Sequence, residues 1–104
     1  MNRMLNMLGL CARAGKLITG EKACVAAIRA GNVCAVILDG AASENAVKAL
    51  RQACQTHDVP MARTGPFELG EAIGKPSRMA AAVTDGGMAA RIMQFYSVDS
   101  IDVQ

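Results

Sequence analysis

Val33-Cys34-Ala35-Val36-Ile37-Leu38 is the stretch that decides the fold. A continuous apolar run leaves no polar face, so it predicts a central strand covered on both sides. Asp39 to Ala42 read as the turn at its carboxyl end. Ser43 is placed to cap a helix running to about His57, with Val47, Leu50 and Cys54 on its core face.

Working outward toward the N-terminus, Gly31 stops a helix that Gly20 opens, with Cys24, Ala27 and Ile28 turned inward. Lys16 to Thr19 predict a short strand before it. Residues 2–14 predict a first helix: Met4, Leu5, Leu8 and Cys11 recur at helical spacing, Asn2 caps the start and Gly15 ends it. Toward the C-terminus, Val59 to Arg63 predict a strand. Gly65-Pro66 predict a short helix ending at Gly74, with Pro66 at its first position and Glu68 in its first turn. Met79 to Thr84 predict a strand of small residues, and Asp85 caps a last helix to about Tyr96. Strand and helix alternate throughout. The expected class is therefore α/β, a three-layer α/β/α sandwich around a four-stranded mixed sheet. Residues 1–96 form one domain and 97–104 a short, frayed acidic tail.

Composition narrows the function. At 104 residues the chain can bury about two thirds of its unfolded surface in one core. Phe67, Phe95 and Tyr96 are the only aromatics, which argues against a surface built to stack bases on rings. The net charge of +2 is unevenly spread. Residues 1–31 hold Arg3, Arg13, Lys16, Lys22 and Arg29 against Glu21 alone, whereas residues 65–104 hold more acids than bases. A basic N-terminal third points to a local anionic partner. Cys11, Cys24, Cys34 and Cys54 have no metal-knuckle spacing and read as small buried residues in a reducing compartment. No signal peptide or membrane span is visible, so the protein is expected to be cytoplasmic, without a membrane partner.

Two glycine-and-base segments carry the remaining information. The first is Arg13-Ala14-Gly15-Lys16-Leu17-Ile18-Thr19-Gly20-Glu21-Lys22 and the second Glu68-Leu69-Gly70-Glu71-Ala72-Ile73-Gly74-Lys75-Pro76-Ser77-Arg78. Neither is a phosphate loop. That loop needs four residues between its glycines and a hydroxyl after the lysine. Gly9 to Gly15 encloses five and Leu17 follows Lys16; Gly70 to Gly74 encloses three and Pro76 follows Lys75. No nucleotide or other cofactor and no metal is expected. His57 stands alone near a helix end, and no nucleophile-base pair is suggested, so no catalytic residue is expected. What survives is a phosphate-gripping reading. Gly20, Glu21 and Lys22 open a helix whose unpaired amides attract phosphate oxygens, with Arg13 and Lys16 flanking. Lys75 and Arg78 project from the loop entering the last strand.

These two segments, with Ala27-Ile28-Arg29-Ala30-Gly31 and Val36-Ile37-Leu38, resemble the ribosomal-protein superfamily typified by L7Ae and L30e, and its bacterial YlxQ-like branch above all. The resemblance covers roughly residues 3–96. It implies a small α/β/α sandwich that binds kink-turn RNA, an internal-loop bend with sheared G·A pairs. The turn opening the second helix would contact guanines and backbone, which assigns Gly20, Glu21 and Lys22. The loop before the last strand would cover a protruding nucleotide, which assigns Gly74, Lys75, Pro76, Ser77 and Arg78. Kink-turn binders of the family carry Asn-Glu where this chain has Lys22-Ala23. The expectation is a non-enzymatic RNA-binding protein, ribosome-associated, with structured RNA as its partner. A protein-interaction module on the same fold is the alternative.

Overall fold

Helix α1 (Arg3–Arg13) starts where Asn2 caps it: the Asn2 side chain accepts from Met4 N at 2.8 Å and from Leu5 N at 3.3 Å. The structure, a computed structural model, describes residues 2–102. The chain continues through β1 (Leu17–Thr19), α2 (Glu21–Arg29), β2 (Ala35–Leu38), α3 (Glu44–His57), β3 (Met61–Arg63), α4 (Glu68–Ile73), β4 (Ala80–Val83) and α5 (Gly86–Asp102). Ser43 caps α3 through Ala46 N at 3.1 Å, and Asp85 caps α5 through Met88 N at 2.9 Å, both as expected.

The strands form one mixed sheet in the order β1-β4-β2-β3. β4 is antiparallel to both β1 and β2, while β2 and β3 run parallel. The period-two alternation of a strand divides the core into two layers. Ala35 and Ile37 of β2, with Ala81 and Val83 of β4, join Met4, Leu8, Leu69 and Ile92 on the face covered by α1, α4 and α5. Val36 and Leu38, with Ala80 and Ala82, join Ile28, Val47 and Leu50 on the face covered by α2 and α3. This is the expected α/β/α sandwich. Three alanines in β4 keep both helical layers close to the sheet.

Several boundaries differ from expectation. β2 begins at Ala35, because Cys34 is exposed and Val33 only half-buried. β3 begins after Pro60, which has no N–H to donate to a ladder. α4 begins at Glu68, two residues beyond Pro66, because Phe67 takes a left-handed conformation with φ 63°. α5 does not stop near Tyr96 but runs to Asp102, since no glycine or proline interrupts it. The last two residues of the expected tail, 103–104, lie outside the described residues.

The cysteines also depart from expectation in one case. Cys11, Cys24 and Cys54 are buried, and Cys34 is exposed. Burial raises the thiol pKa of all three buried residues, and Cys24 is pushed up to about 12 by desolvation and by its neighbour Cys54. These thiols are packing residues, inert as nucleophiles. Among the described residues no helix is long and apolar enough to cross a membrane.

Candidate functional site

Strand directions bring four loops to one end of the sheet. Thr19 faces Ala81, Leu38 faces Ala80, and Leu38 also faces Arg63. The segments after β1, β2 and β3 and the segment before β4 therefore share that end. Here the two glycine-and-base segments meet. Gly20, at φ 97°, turns the chain from β1 into α2, a conformation that only glycine adopts without strain. Its N–H donates to Ala80 O at 3.0 Å, which ties the turn to the first residue of β4. A Cβ built on Gly20 would lie 3.5 Å from Arg78 Nη1. The guanidinium thus rests within van der Waals reach of the turn.

Gly20, Glu21, Ser43, Ser77, Arg78 and Met79 line an open groove of about 440 Å³. The first intrahelical bond of α2 is Cys24 N to Gly20 O at 2.9 Å. The Glu21, Lys22 and Ala23 amides precede it, have no intrahelical acceptor, and receive no side-chain cap. The groove therefore offers a helix N-terminus and a planar cation, a pair suited to phosphate oxygens or to the acceptor edge of a purine. Lys22 is exposed on the first turn of α2. Lys75 and Pro76 are exposed on the loop that carries Arg78, directly after Gly74 ends α4.

Gly70 shapes that loop from within α4. A Cβ on Gly70 would come within 2.6 Å of both Lys75 O and Pro76 O. The loop can fold back onto the helix only because residue 70 has no side chain. Lys75 N donates to Gly70 O at 2.9 Å and Arg78 N to Lys75 O at 3.0 Å, which closes the turn.

Arg13 and Lys16 are placed elsewhere. Lys16 precedes β1 at the opposite end of the sheet, where its carbonyl accepts from Thr84 N at 3.0 Å. Arg13 lines a separate groove of about 530 Å³ between α1 and α4, together with Glu68 and Glu71. Nearness in sequence to Gly20 suggested a shared site, and the length of β1 separates them.

Two features escaped the sequence reading. Asp39, the first residue after β2, is wholly buried. Its Oδ2 accepts from Ala41 N at 2.8 Å and Phe67 N at 2.7 Å, and its Oδ1 from Leu69 N at 3.0 Å and the Thr64 hydroxyl at 3.1 Å. Burial alone would raise its pKa. The bonds from Ala41, Leu69, Phe67 and Thr64 outweigh burial and hold the carboxyl below its ordinary value. Asp39 was expected to serve its own turn, yet it also caps α4 from a distant part of the chain. The signal available was an aspartate at the carboxyl end of a fully buried strand. The second feature is a groove of about 790 Å³ along α3, flanked by Lys48, Arg51 and Arg63. Residues 32–64 hold Lys48, Arg51 and Arg63 against Asp39, Glu44 and Asp58, and that even balance concealed it.

Ser43 lies at one end of α3 and His57 at the other, 14 residues away or about 20 Å along a helix. Among the described residues no group of three or more His, Cys, Asp or Glu could hold a metal ion.

The comparisons agree with this architecture. The chain is similar to two proteins called RNA-binding protein YlxQ. The one from Bacillus subtilis is 35% identical over 88 residues, which cover 84% of this chain and 88% of that one. The one from Enterococcus faecium is 36% identical over 85 residues, covering 81% and 82%. A solved structure of a Bacillus halodurans protein of unknown function superimposes with a TM-score of 0.89 at 35% identity, covering 93% of this chain and 99% of that one. The Giardia lamblia 15.5kD RNA binding protein shares the fold, with a TM-score of 0.75 at 19% identity over 91% and 85% of the two chains. The family described as Ribosomal protein L7Ae/L30e/S12e/Gadd45 matches residues 2–93, nearly the whole sandwich and both meeting turns, and the chain belongs to it.

Proposed function

We propose that this chain is a non-enzymatic, cytoplasmic RNA-binding protein that recognises structured, kink-turn-like RNA and works in association with the ribosome. The observation that carries this reading is the convergence of the Gly20 turn and Arg78 on one groove. The RNA-binding names of the YlxQ relatives support it. A sharply bent RNA offers crowded phosphates and irregular base edges, and proteins read RNA largely by such shape. The Glu21, Lys22 and Ala23 amides and Lys22 face the phosphates, Glu21 supplies an acceptor for a guanine edge, and Ser77 and Arg78 cover the opposite side. Lys22-Ala23 replaces an Asn-Glu pair, so Lys22 acts as a point charge with less geometric selection than that pair.

This assignment predicts an uneven response to charge reversal. Lys22→Glu and Arg78→Glu are each expected to weaken kink-turn RNA binding at least tenfold, about 1.4 kcal/mol. Each should also flatten the dependence of log affinity on log salt by about one or more, because a phosphate contact is lost. Lys16→Glu, at the far end of the sheet, should change affinity much less. Fluorescence anisotropy across a salt series reads all three. Equal effects at residues 16, 22 and 78 would mean diffuse attraction and no defined face.

A second reading is a protein-interaction module on this fold. Ala23 favours it, since the residue standing there cannot accept from a guanine. Purified protein free of nucleic-acid absorbance and bound to a protein partner would select it.

A further inference from the structure

Phe67 has no place in the groove just described. Its ring is 64% exposed, although aromatic side chains ordinarily bury. Phe95 lies beneath two guanidinium groups, with Arg3 5.0 Å and Arg91 5.7 Å from its ring centre, and Tyr96 is half-buried. Among the described residues Phe67 is therefore the one aromatic presented openly. It stands at the sheet end that carries the groove, following β3.

Its backbone is held firmly. Phe67 sits at φ 63°, a conformation unusual for a bulky residue, and its N–H is bound by Asp39 Oδ2 at 2.7 Å. That same oxygen binds Ala41 N, and Ala41 lines the groove. The two loops press together so closely that a Cβ on Gly40 would lie 2.7 Å from Thr64 O. The backbone that aims Phe67 and the wall of the groove thus belong to one rigid unit. Arg63 is tied to the same pair of loops through Nη2 to Gly40 O at 3.3 Å, and with Lys48, Arg51 and one acid, Glu44, it lines the groove along α3.

We propose that Phe67 is a stacking platform for an unpaired RNA base outside the Gly20–Arg78 groove, with Arg63, tied to the same pair of loops, reaching the phosphate chain. The inference rests on the RNA-binding reading above and extends its footprint toward β3 and α3. A single exposed ring held on a fixed backbone at the sheet end that carries the groove suits the flat face of a nucleotide base. It suits a protein partner less, because only Leu10 and Val98 join Phe67 as exposed large apolar residues among those described, and a protein interface draws on several such anchors. Stacking on one preset ring orders few torsions.

The test uses the full chain and a kink-turn stem, together with versions in which each unpaired nucleotide in turn is abasic. Phe67→Ala is expected to bind the intact RNA about tenfold more weakly with an unchanged salt slope, since no phosphate contact is lost. Phe67→Leu should not restore affinity, and Phe67→Trp should. The chain has no other Trp, so stacking by RNA should quench the emission of Phe67→Trp. One abasic RNA should bind wild type and Phe67→Ala equally. Phe67→Gly guards against misfolding: glycine suits φ 63°, so its melting temperature should stay at or above wild type while affinity falls. Wild-type affinity of Phe67→Ala and unquenched Phe67→Trp, with Arg78→Glu still impaired, would overturn the stacking site and leave the groove standing. If wild type binds none of the RNAs, both readings fall. Emission of Phe67→Trp that RNA leaves unchanged and a co-purifying protein shifts to the blue would assign the ring to a protein and overturn the inference.

Discussion

Asp39→Ala is expected to lower the melting temperature by about 15 °C and to disorder the groove end of the sheet. The carboxylate is wholly buried and accepts from Ala41, Phe67, Leu69 and Thr64, so its removal takes the partner from donors of three segments, the buried Leu69 N–H among them. Unsatisfied donors cost about 1–3 kcal/mol each where no water reaches them. With relaxation, a total loss of about 3 kcal/mol is reasonable, and each kcal/mol shifts a domain of this size by roughly 4–8 °C. Asp39→Asn keeps the shape but turns an NH₂ group toward some of these donors, so it should also destabilise. The same group sets an acid dependence. Its folded pKa is depressed below the unfolded value, so its stabilisation is complete above about pH 3.9 and fades as pH falls through the folded pKa. Thermal melts of wild type and Asp39→Asn from pH 7 to pH 2 should therefore converge at the acid end. Parallel curves down to pH 2 would show that Asp39 is not the anchor.

Gly70→Ala is expected to damage binding more than its single methyl group suggests. The new Cβ would meet Lys75 O and Pro76 O at 2.6 Å, and backbone atoms cannot turn aside as a flexible side chain would. Either the loop lifts off α4 or the helix shifts, at a cost of about 1–3 kcal/mol. The loop carries Arg78, so RNA affinity should fall at least tenfold while far-ultraviolet circular dichroism stays close to wild type. Gly31→Ala makes a control, because its Cβ would meet nothing within 4 Å. At φ 79° it should lose some stability and no RNA affinity. Unchanged affinity in Gly70→Ala would show that the loop position does not matter to binding.

Much of this could be read from residue order, and the failures share a cause. Val36-Ile37-Leu38 marked the central strand because burial on both faces admits no polar residue. Asn2, Ser43 and Asp85 marked helix starts because their cap bonds span only two or three residues. The meeting of the Gly20 turn with Arg78 was legible, and the antiparallel register of β1 and β4 explains it. Contacts across longer spans were not legible. Asp39 reaches Leu69 across thirty residues, and nothing local to Pro66 reveals that α4 starts two residues later on a left-handed Phe67. Arg13 and Lys16 seemed to belong beside Gly20 by sequence spacing, but an intervening strand carries the chain from one end of the sheet to the other. Scarce aromatics argued against base stacking, and composition could not tell that one of them, Phe67, would be held in the open.

Binding of a fluorescent kink-turn stem, compared with an uninterrupted duplex of the same length in the same buffer, tests the central claim most directly. If the Gly20 turn and Arg78 form one face for bent RNA, the kink-turn should bind at least tenfold more tightly, and Arg78→Glu should abolish that preference. Equal affinity for the two RNAs, or binding to neither, would contradict the account.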